Sequence, residues 1–548
     1  MDDNYIHKMI ETDKEEGVFS RTICTRFPPE PNGYLHVGSL YAIHFSYFAA
    51  KKFDGNFNLR FDDTNPLKED MEYVNAIIED MKWMGWLDES RIYFGSDYSE
   101  FIYDCAVKLI KMGKAYVCDL GADELRETRG TLTESGENSP YRERSPEENL
   151  KLFEAMRAGK YENGEKTLRA KIDMTSSNLN MRDPVIYRII HAEHYRTGDK
   201  WCIYPMYDFA HPLQDAYEGV THSLCSIEFR NHRPLYDWVL EALSFEEPPR
   251  QREFGRMNMT GVVTSKRYLK ELVAGKHVSG WDDPRMPTIK GLRRRGYTRE
   301  AIGDFIRSLG VSKDQSTVDI SMLDHCLRHD LKAKVKSVMA VLNPLKVVIE
   351  NYPESELEWL KVEYNSENDL LGSRELPFGR EIYIEADDFL EVPVKGFKRL
   401  TTGGEVRLKG AYFIKCHSVI KDEHGHIVEL RCTYDPETKS GSGFNGRKVK
   451  GTIHWVHATE NAAFETVLFE RLFESDEIAK IKELSWDEKI NPNSRNVLKT
   501  CFGELSLSTV MAEDKFQFMR HGYFSVDYNR SETGRVVFNR IVPLKSSY

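Results

Sequence analysis

The sequence predicts an α/β protein, with a parallel sheet in its N-terminal part and antiparallel β-barrels in its C-terminal part. Two observations support this prediction. Between residue 21 and about residue 90, strand-like and helix-like segments alternate, an order that favours parallel strands joined by right-handed crossovers. Beyond residue 335, short strand-like segments are separated by turns rich in Gly, Asp and Asn, which is typical of barrels.

The N-terminal alternation can be followed element by element. Residues 21–27 form a predicted strand, and the next stretch, 28–33, cannot be helical because its prolines lack the backbone N–H. A helix is expected from about Val37, and Gly55 follows its end. Residues 56–62 form a second predicted strand. A second helix follows, with an apolar face formed by Met71, Val74, Ile78 and Met81.

The middle of the chain is less regular. Residues 130–144 predict an exposed hairpin or loop, residues 201–209 a return to the sheet, and residues 235–243 a helix. A charged helical region is expected up to about residue 335. The strand-like segments beyond it are 347–349, 381–384, 405–408, 411–415, 427–434 and 448–456.

Composition excludes several classes of protein. The chain has 548 residues, of which 40% are hydrophobic and 30% charged, as in soluble globular proteins. No apolar run reaches the ~18 residues of a membrane span, and the polar N-terminus has no signal-peptide core, so a cytoplasmic protein is expected. The nine cysteines include no Cys-x-x-Cys, which argues against a zinc knuckle and for reduced thiols.

The net charge and the local distribution of charge lead to different expectations about binding of nucleic acid. The net charge of −11 argues against general binding of nucleic acid. Binding follows local patches, however, and one basic run is present. Such a run is more often a solvated helix face, and that alternative stays open at this point. The run consists of Lys290, Arg293, Arg294, Arg295 and Arg299.

A first candidate site lies where the first predicted strand leads into the first helix. Residues 29–33 are followed there by His36 and Gly38. A helix N-terminus in this position offers unpaired backbone N–H groups that suit a phosphate. Gly38 would let a nucleotide approach the backbone closely. A lone His-x-Gly is usually a tight turn, but the proline-rich lead-in favours the phosphate site.

A second candidate site is the stretch Thr264-Ser265-Lys266-Arg267, ~230 residues after the first. By itself it would be a solvated loop. A mobile lysine there would neutralise the charge of a triphosphate during displacement at phosphorus. This chemistry needs positioning and cations more than a covalent nucleophile.

The two sites resemble the His-Ile-Gly-His and Lys-Met-Ser-Lys-Ser motifs of class I aminoacyl-tRNA synthetases. Longer strings are similar to those of the glutaminyl-tRNA synthetases: residues 60–66, 204–209, 221–225 and 280–287. The resemblance extends from about residue 21 to residue 542. It implies a Rossmann-type catalytic domain in two halves, with an inserted domain that binds the acceptor end of tRNA. A helical region would contact the stem, and the barrels would bind the anticodon.

The implied domains have the following bounds: 1–94 and 206–260 for the two halves of the catalytic domain, 95–205 for the insert, 261–335 for the helical region and 336–548 for the barrels.

The resemblance also implies roles for single residues. ATP would be bound by Glu30, Pro31, Asn32, His36, Val37, Gly38, Ser39, Leu40, Tyr41, Ala42, Ser226, Arg256, Met257, Thr264, Ser265 and Lys266. Among these, His36, Ser39 and Lys266 would be catalytic. Glutamine would be bound by Arg26, Asp62, Tyr207, His211, Cys225 and Gln251, with Arg26 on the α-carboxylate, Asp62 on the ammonium group and Tyr207 on the amide. The tRNA would contact Leu132, Asn231, Arg293, Arg294, Arg295 and Arg399, with Leu132 acting as a wedge at the terminal base pair.

One position favours glutamine over glutamate. Many glutamyl-tRNA synthetases carry an arginine at the position of Cys225, which suits an anionic side chain. A neutral Cys225 would leave a buried glutamate carboxylate uncompensated, at a cost of several kcal/mol. A tyrosine hydroxyl and ordered water can satisfy a neutral amide.

The implied reaction has two steps. The glutamine carboxylate attacks the α-phosphate of ATP, and the terminal ribose hydroxyl of tRNA then attacks the activated carbonyl. The family requires bound tRNA for the first step. We therefore expect ATP with Mg²⁺ bound through the nucleotide, tRNA(Gln) and L-glutamine as partners, no DNA, no membrane, no dedicated metal site on the protein, and a monomer. A glutamate–tRNA ligase and a non-catalytic tRNA-binding paralogue remain the alternatives.

Three positions depart from the family pattern. Ser39 replaces the second histidine of the first motif and cannot carry a positive charge, so adenylation would rely more on His36 and Lys266. Thr264 replaces the methionine of the second motif, a tolerable change. Asn231 replaces an aspartate near an acceptor-stem pair, which would loosen tRNA discrimination.

Overall fold

The computed structural model describes residues 4–365, 368–532 and 534–545. The chain divides into two compact units. Unit 1 comprises Met1–Met259 with Ile306–Val318, and unit 2 comprises Thr260–Phe305 with Asp319–Tyr548. None of the described helices combines the length and the apolar character needed to cross a bilayer.

Unit 1 combines helices with short strands. Its helices are α1 (Tyr5–Glu15), α2 (Val37–Lys52), α3 (Met71–Met84), α4 (Ser99–Lys111), α5 (Ala122–Thr128), α6 (Pro146–Arg157), α7 (Tyr207–Tyr217) and α8 (Arg233–Ala242). Its strands are β1 (Cys24–Phe27), β2 (Asn56–Phe61), β3 (Ile92–Phe94), β4 (Ala115–Cys118), β5 (Thr167–Ala170), β6 (Val185–Ile189), β7 (Ile203–Pro205), β8 (His222–Ser226) and β9 (Arg250–Phe254). Of these, β1–β3 and β8–β9 pair in parallel and β4–β7 pair antiparallel.

The predicted strand–helix alternation is confirmed. Strands β1, β2 and β3 form a parallel sheet in which Cys24 pairs with Asn56 and Leu59 with Ile92. Helix α3 starts at Asp70, whose carboxylate accepts the Glu72 N–H at 2.7 Å. One detail of α3 was wrong. The helix buries Val74, Ala76, Ile77, Asp80, Met81 and Met84, whereas Ile78 is half-buried and Met71 is 42% exposed.

The prediction that residues 201–209 return to the parallel sheet is also wrong. Strand β7 pairs with β6 in the antiparallel sheet β4-β5-β6-β7, where Ile203 lies opposite Ile189. Residues from Tyr207 onward belong to α7. The alternating apolar residues belong to two different elements, strand β7 of the insert and the first turn of α7. The chain returns to parallel pairing at β8, which runs alongside β9 with His222 opposite Arg250.

Unit 2 contains helices α9 (Lys266–Ala274), α10 (Ile289–Arg295), α12 (Ser321–Lys332) and α13 (Trp486–Lys489). Three elements contain residues of both units: β10 (Met257–Thr260), α11 (Arg299–Leu309) and β11 (Ser316–Asp319). The remaining strands are β12 (Lys336–Val338), β13 (Ala340–Val341), β14 (Pro344–Ile349), β15 (Glu358–Glu363), β16 (Ser373–Phe378), β17 (Glu381–Glu385), β18 (Phe389–Leu390), β19 (Leu400–Thr401), β20 (Glu405–Leu408), β21 (Phe413–Lys421), β22 (Ile427–Asp435), β23 (Thr452–Ile453), β24 (Val456–His457), β25 (Ala462–Phe469), β26 (Arg495–Gly503), β27 (Lys515–Phe518), β28 (Gly522–Val526) and β29 (Val536–Val542).

Two seven-stranded sheets dominate unit 2. Their orders are β12-β27-β28-β29-β25-β26-β13 and β23-β20-β21-β22-β14-β17-β24. Most neighbours are antiparallel, as predicted, but each sheet also contains two parallel pairs. These pairs are β12–β27 and β25–β29 in the first sheet, and β14–β22 and β20–β23 in the second. The predicted strand 448–456 is shorter in the structure, where it is limited to β23 and the start of β24.

The basic run does not form a uniformly exposed cationic face. Arg294 is 8% exposed, and its guanidinium pairs with Asp527 and Asp282, each at 3.2 Å. Arg295 donates to the carbonyl oxygen of Ile541 at 3.0 Å, and Arg293 pairs with Glu513 at 3.2 Å. The charge of Arg294 is therefore compensated inside unit 2, and its contact with tRNA stays a prediction.

Candidate active site and RNA-binding groove

Most predicted substrate residues of unit 1 follow the carboxyl ends of parallel strands. Strand β8 runs in the same direction as β1: the Thr221 N–H donates to Cys24 O at 2.9 Å, and the Arg26 Nη1 donates to Leu224 O at 2.7 Å. Because parallel strands end at one edge of a sheet, the segments after β1, β2, β8 and β9 are brought together there.

The first motif forms a loop that ends at the N-terminus of α2. His36 is extended, with φ −124°, and its carbonyl oxygen accepts the Ser39 N–H at 2.8 Å. A Cβ on Gly38 would lie 3.0 Å from the His36 ring, so the imidazole rests directly over this glycine. Ser39 has a structural task in addition to its predicted one, because its hydroxyl accepts the His36 N–H at 3.5 Å.

Two loops that carry predicted residues are hydrogen-bonded to each other. The Asp62 N–H donates to Pro29 O at 3.0 Å, and the Asp70 N–H donates to Pro31 O at 3.1 Å. Burial raises the pKa of Asp62 to about 6, although Arg60 and the Thr64 hydroxyl favour the charged form. An ammonium group at this carboxylate would stabilise its charge.

Sequence reasoning missed a buried ion network. The Arg60 Nη2 donates to Oδ1 of Asp215 at 2.7 Å, and its Nη1 lies 3.2 Å from Oε2 of Glu218. The Arg26 Nε also donates to Asp215, at 3.2 Å. Burial alone would raise the pKa of Asp215, but the guanidinium groups of Arg26 and Arg60 hold it well below its usual range. The buried ion network is Arg26, Arg60, Asp215 and Glu218, with two positive and two negative groups.

The predicted contact of Arg26 with the α-carboxylate of glutamine remains a prediction. The Arg26 side chain is fully buried, and its Nη2 contacts His211 and Ser223. A detectable signal for the network was the spacing along α7. Tyr207, His211 and Asp215 recur every four residues on one face of this helix, and Glu218 directly follows its last residue.

Three predicted pocket residues remain uncharged. Tyr207 stacks on His211 with ring centroids 4.8 Å apart, and it also contacts Phe229 at 5.4 Å. Burial raises the pKa of Tyr207 well above its usual value, lowers that of His211 well below 6.5 and raises that of the Cys225 thiol to about 12. Gln251 belongs to the same cluster, because its amide donates to Phe229 O at 3.1 Å.

Three further predicted ATP residues lie at neighbouring strand ends: Ser226 is the last residue of β8, Arg256 follows β9, and Met257 begins β10. The Ser226 hydroxyl oxygen is buried and has no hydrogen-bond partner among the described residues, so a ligand or water can satisfy it. Arg256 is half-exposed and pairs with Glu228 at 2.6 Å, whereas Met257 is buried in β10.

The second motif belongs to unit 2. Lys266 is exposed at the first turn of α9, and Leu269 and Leu272 on the same helix pack against Leu472 and Phe473. The loop before it is tethered at Gly261, whose N–H lies 3.1 and 3.0 Å from the two carboxylate oxygens of Asp476. Gly261 has φ +78°, a backbone conformation that favours glycine.

Two predicted tRNA contacts lie on the surface of unit 1. Leu132 is 78% exposed in the segment predicted to be a hairpin or loop, which forms turns without strands. Asn231 is exposed, and its carbonyl oxygen accepts from the amides of Asn178 and Asn180 at 2.8 and 3.1 Å. This fixes the backbone and leaves the Asn231 side chain at the surface.

A basic groove of about 1110 Å³ lies in unit 2 between α12 and the barrels. Among its described lining residues, Glu363 is the one acidic side chain, and Tyr364 provides an aromatic face. Its lysines and arginines are Arg328, Lys332, Lys361, Arg407, Lys409 and Arg520. Arg399 lies outside this lining and pairs with Asp388 at 3.2 Å. The alternating cations Arg407, in β20, and Lys409, directly after it, were a signal in the sequence.

Family comparisons decide what kind of protein carries these sites. The model described as "tRNA synthetases class I (E and Q), catalytic domain" matches residues 22–333. Two models of anti-codon binding domains of the same family match residues 336–435 and 452–527. The chain belongs to the class I glutamyl- and glutaminyl-tRNA synthetase family. The predicted membership and fold class are thereby confirmed.

Curated relatives of this synthetase cover its whole length. Proteins named "Glutamine--tRNA ligase" from Clostridium kluyveri and Clostridium perfringens are each 56% identical over 545 residues, which is 100% of this chain and 98% of theirs. The protein of that name from Pseudomonas syringae pv. tomato is 52% identical over 546 residues, 100% of this chain and 95% of its own.

Proposed function

We propose that this synthetase ligates L-glutamine to tRNA(Gln) with ATP. The observation that carries the proposal is the charge state of the pocket. Tyr207, His211 and Cys225 are all uncharged at neutral pH, because burial shifts each pKa away from the charged form. The arginines nearby are compensated by Asp215 and Glu218. A glutamine amide suits this environment, whereas a glutamate carboxylate would lack a cation.

The reaction proceeds in two steps, formation of the adenylate and transfer of the amino acid to tRNA. An oxygen of the glutamine α-carboxylate forms a bond to the α-phosphorus of ATP, and the bond to the bridging oxygen breaks to release pyrophosphate. The 2′-hydroxyl of the terminal ribose then attacks the activated carbonyl, loses its proton, and AMP leaves.

The residues of the two motifs supply binding and charge. The backbone N–H groups at the start of α2 and the His36 side chain bind phosphate oxygens, as a helix N-terminus does. Lys266 neutralises charge that develops on the triphosphate. Asp62 binds the ammonium group, and Tyr207 binds the side-chain amide. Glu30, beside Asn32, offers oxygen atoms of the kind Mg²⁺ prefers, and the ion enters with the nucleotide.

The tRNA contacts extend over the rest of the chain. Leu132 separates the terminal base pair, and Asn231 contacts the acceptor stem. Arg293 and Arg295 bind phosphates, and Arg399 contacts the tRNA on its anticodon side. The basic groove receives unstacked anticodon bases, for which its cations and Tyr364 are suited. We propose that the enzyme acts as a monomer. All nine cysteines are free thiols, which fits a cytoplasmic location.

Aminoacylation with two labelled amino acids tests the proposal. With tRNA(Gln) and ATP, the chain is expected to charge glutamine and to discriminate strongly against glutamate. Cys225→Arg is expected to lose glutamine activity and to gain glutamate charging, because it adds an uncompensated cation to the pocket. Preferential charging of glutamate by the unaltered chain would refute the proposal. Absence of ATP–pyrophosphate exchange with tRNA and glutamine present would instead indicate a non-catalytic tRNA-binding protein.

A further inference from the structure

Leu132 stands on a turn that has no apolar support of its own. Residues 131–135 are all exposed, and the Leu132 side chain is 78% exposed. A single exposed leucine is ordinary in any protein. What distinguishes this one is the set of polar contacts that hold the turn beneath it.

The turn is closed by its own backbone. The Thr131 N–H donates to Glu134 O at 3.1 Å, and the Thr131 hydroxyl accepts the Glu134 N–H, also at 3.1 Å. Gly130 has φ +71°, and a Cβ there would lie 2.7 Å from the carbonyl oxygens of Glu134 and Ser135. A glycine is therefore required where the chain enters the turn.

A buried arginine holds both ends of this turn. Arg182 is 3% exposed. The two N–H groups of its Nη1 are shared among three carbonyl oxygens, those of Arg129 at 2.8 Å, Thr131 at 2.9 Å and Glu134 at 2.8 Å. Its Nε donates to Ser176 O at 2.6 Å. These three carbonyls flank Leu132, so the guanidinium fixes the turn from below.

Arg182 is itself anchored to the insert. The next residue, Asp183, is 1% exposed and has φ +40°. Its carboxylate accepts the Ile172 N–H at 2.7 Å and the Arg142 Nε–H at 2.7 Å. The Tyr116 hydroxyl donates to the same carboxylate at 3.1 Å. The backbone that carries Arg182 is thus fixed by three independent elements of the insert.

We propose that Arg182 is a positioning residue that holds the Leu132 turn in place for separating the terminal base pair of tRNA. The inference rests on the proposed function, which assigns Leu132 to that base pair. A buried charge is costly to retain, and packing alone would be served by an apolar side chain. The planar guanidinium provides what packing cannot, namely several N–H donors in a fixed arrangement.

The position of a wedge matters most when there is a base pair to open. A displaced Leu132 no longer replaces the stacking lost at the end of the stem, and a displacement of about 1 Å at such a site costs up to ~100-fold in rate. A tRNA whose terminal pair is already open does not need the wedge. Substitution of Arg182 is therefore expected to lower the aminoacylation rate of a tRNA with an intact terminal pair more than that of a tRNA whose terminal pair is open.

The experiment uses the full chain and two transcripts of tRNA(Gln), one with an intact first base pair and one with this pair mismatched. Arg182→Ala and Leu132→Ala are each expected to lower kcat/KM by 10–100-fold on the intact transcript. On the mismatched transcript, a loss of threefold or less is expected. Arg182→Lys keeps the charge but not the two-pronged donor set, so an intermediate loss is expected. The KM values for ATP and glutamine are expected to stay unchanged.

Arg126→Ala serves as the matched control, because it removes an exposed arginine from α5, close to the turn in sequence. It is expected to leave the ratio between the two transcripts unchanged. Equal losses by Arg182→Ala and Arg182→Lys on both transcripts, with Leu132→Ala still selective, would overturn the inference alone. A Leu132→Ala variant without any transcript dependence would overturn the assignment of Leu132, and the inference with it. Thermal melting of each variant separates these outcomes from unfolding.

Discussion

The glutamine pocket and the basic groove differ in whether their charged side chains are buried and compensated or exposed to solvent. In the pocket, Arg26 and Arg60 are fully buried and compensated by Asp215 and Glu218. In the groove, cations such as Lys361 and Lys409 are exposed, and Glu363 is the one acid among the described lining residues. One region encloses balanced charge, whereas the lining of the other contains more cations than acids, although Arg520 pairs with Asp388 outside that lining.

The difference reflects what each region is proposed to bind. A small neutral side chain is selected by a site without a free charge, since any unpaired group would penalise the wrong substrate. A polyanion is attracted by exposed cations at little cost in stability. Substitutions in the pocket are therefore expected to affect folding, and substitutions in the groove to affect binding.

The largest effect is expected from Asp215→Ala. It leaves two buried guanidinium groups without their shared carboxylate, and breaking such a pair costs ~3–5 kcal/mol of unfolding free energy. Denaturant unfolding measures this loss. Asp208→Ala is the matched control on the same helix, because Asp208 pairs with His232 where both side chains are about one-third exposed. A loss below 1 kcal/mol for Asp215→Ala would show that the network is not balanced in the way described.

Lys266→Ala is expected to lower adenylate formation by ~10²–10³-fold, the size found for loss of a transition-state contact. Lys266 is exposed, so the melting temperature is expected to stay unchanged, as for a groove cation. ATP–pyrophosphate exchange in the presence of tRNA gives the rate, and Arg267→Ala on the same helix is the control. Near-normal exchange would show that the ATP site is misplaced.

The pH dependence of glutamine activation tests Asp62. Its pKa of about 6 lies above the usual value for an aspartate, because burial disfavours the charge. As the pH falls through 6, the carboxyl becomes protonated and loses its attraction for the ammonium group. The KM for glutamine is expected to rise about tenfold between pH 7 and pH 5. Asp62→Asn is expected to abolish this pH dependence and to leave a high KM throughout; an unchanged profile in that variant would assign the titration to another group.

The smallest effect is expected in the groove. Lys409→Ala removes one exposed cation, so tRNA affinity is expected to fall by less than about tenfold, and the salt dependence of binding by about one unit of slope. Lys421→Ala, which removes a cation outside the groove paired with Glu391, is expected to change neither. A change of unfolding free energy in Lys409→Ala would contradict the contrast between the two regions.

Sequence reasoning succeeded where the signal is local. The first strand and helix were predicted correctly because apolar spacing, prolines and Gly55 all act within a few residues. It failed for residues 201–209, where alternating apolar residues are compatible with either sheet. It could not show that Arg294 is buried and paired either, because Asp527, its partner, lies more than 200 residues away in the chain.

The sequence by itself determined the order of elements, the two motifs and the family to which the chain belongs. Each of these depends on residue types at short spacing, which the chain carries before it folds. The tertiary structure alone decided which charges are neutralised, because pairs such as Arg60 with Asp215 and carbonyl contacts such as those of Arg182 join distant segments. Electrostatic energy depends on distance in space and on burial, and both are known only once the chain has folded.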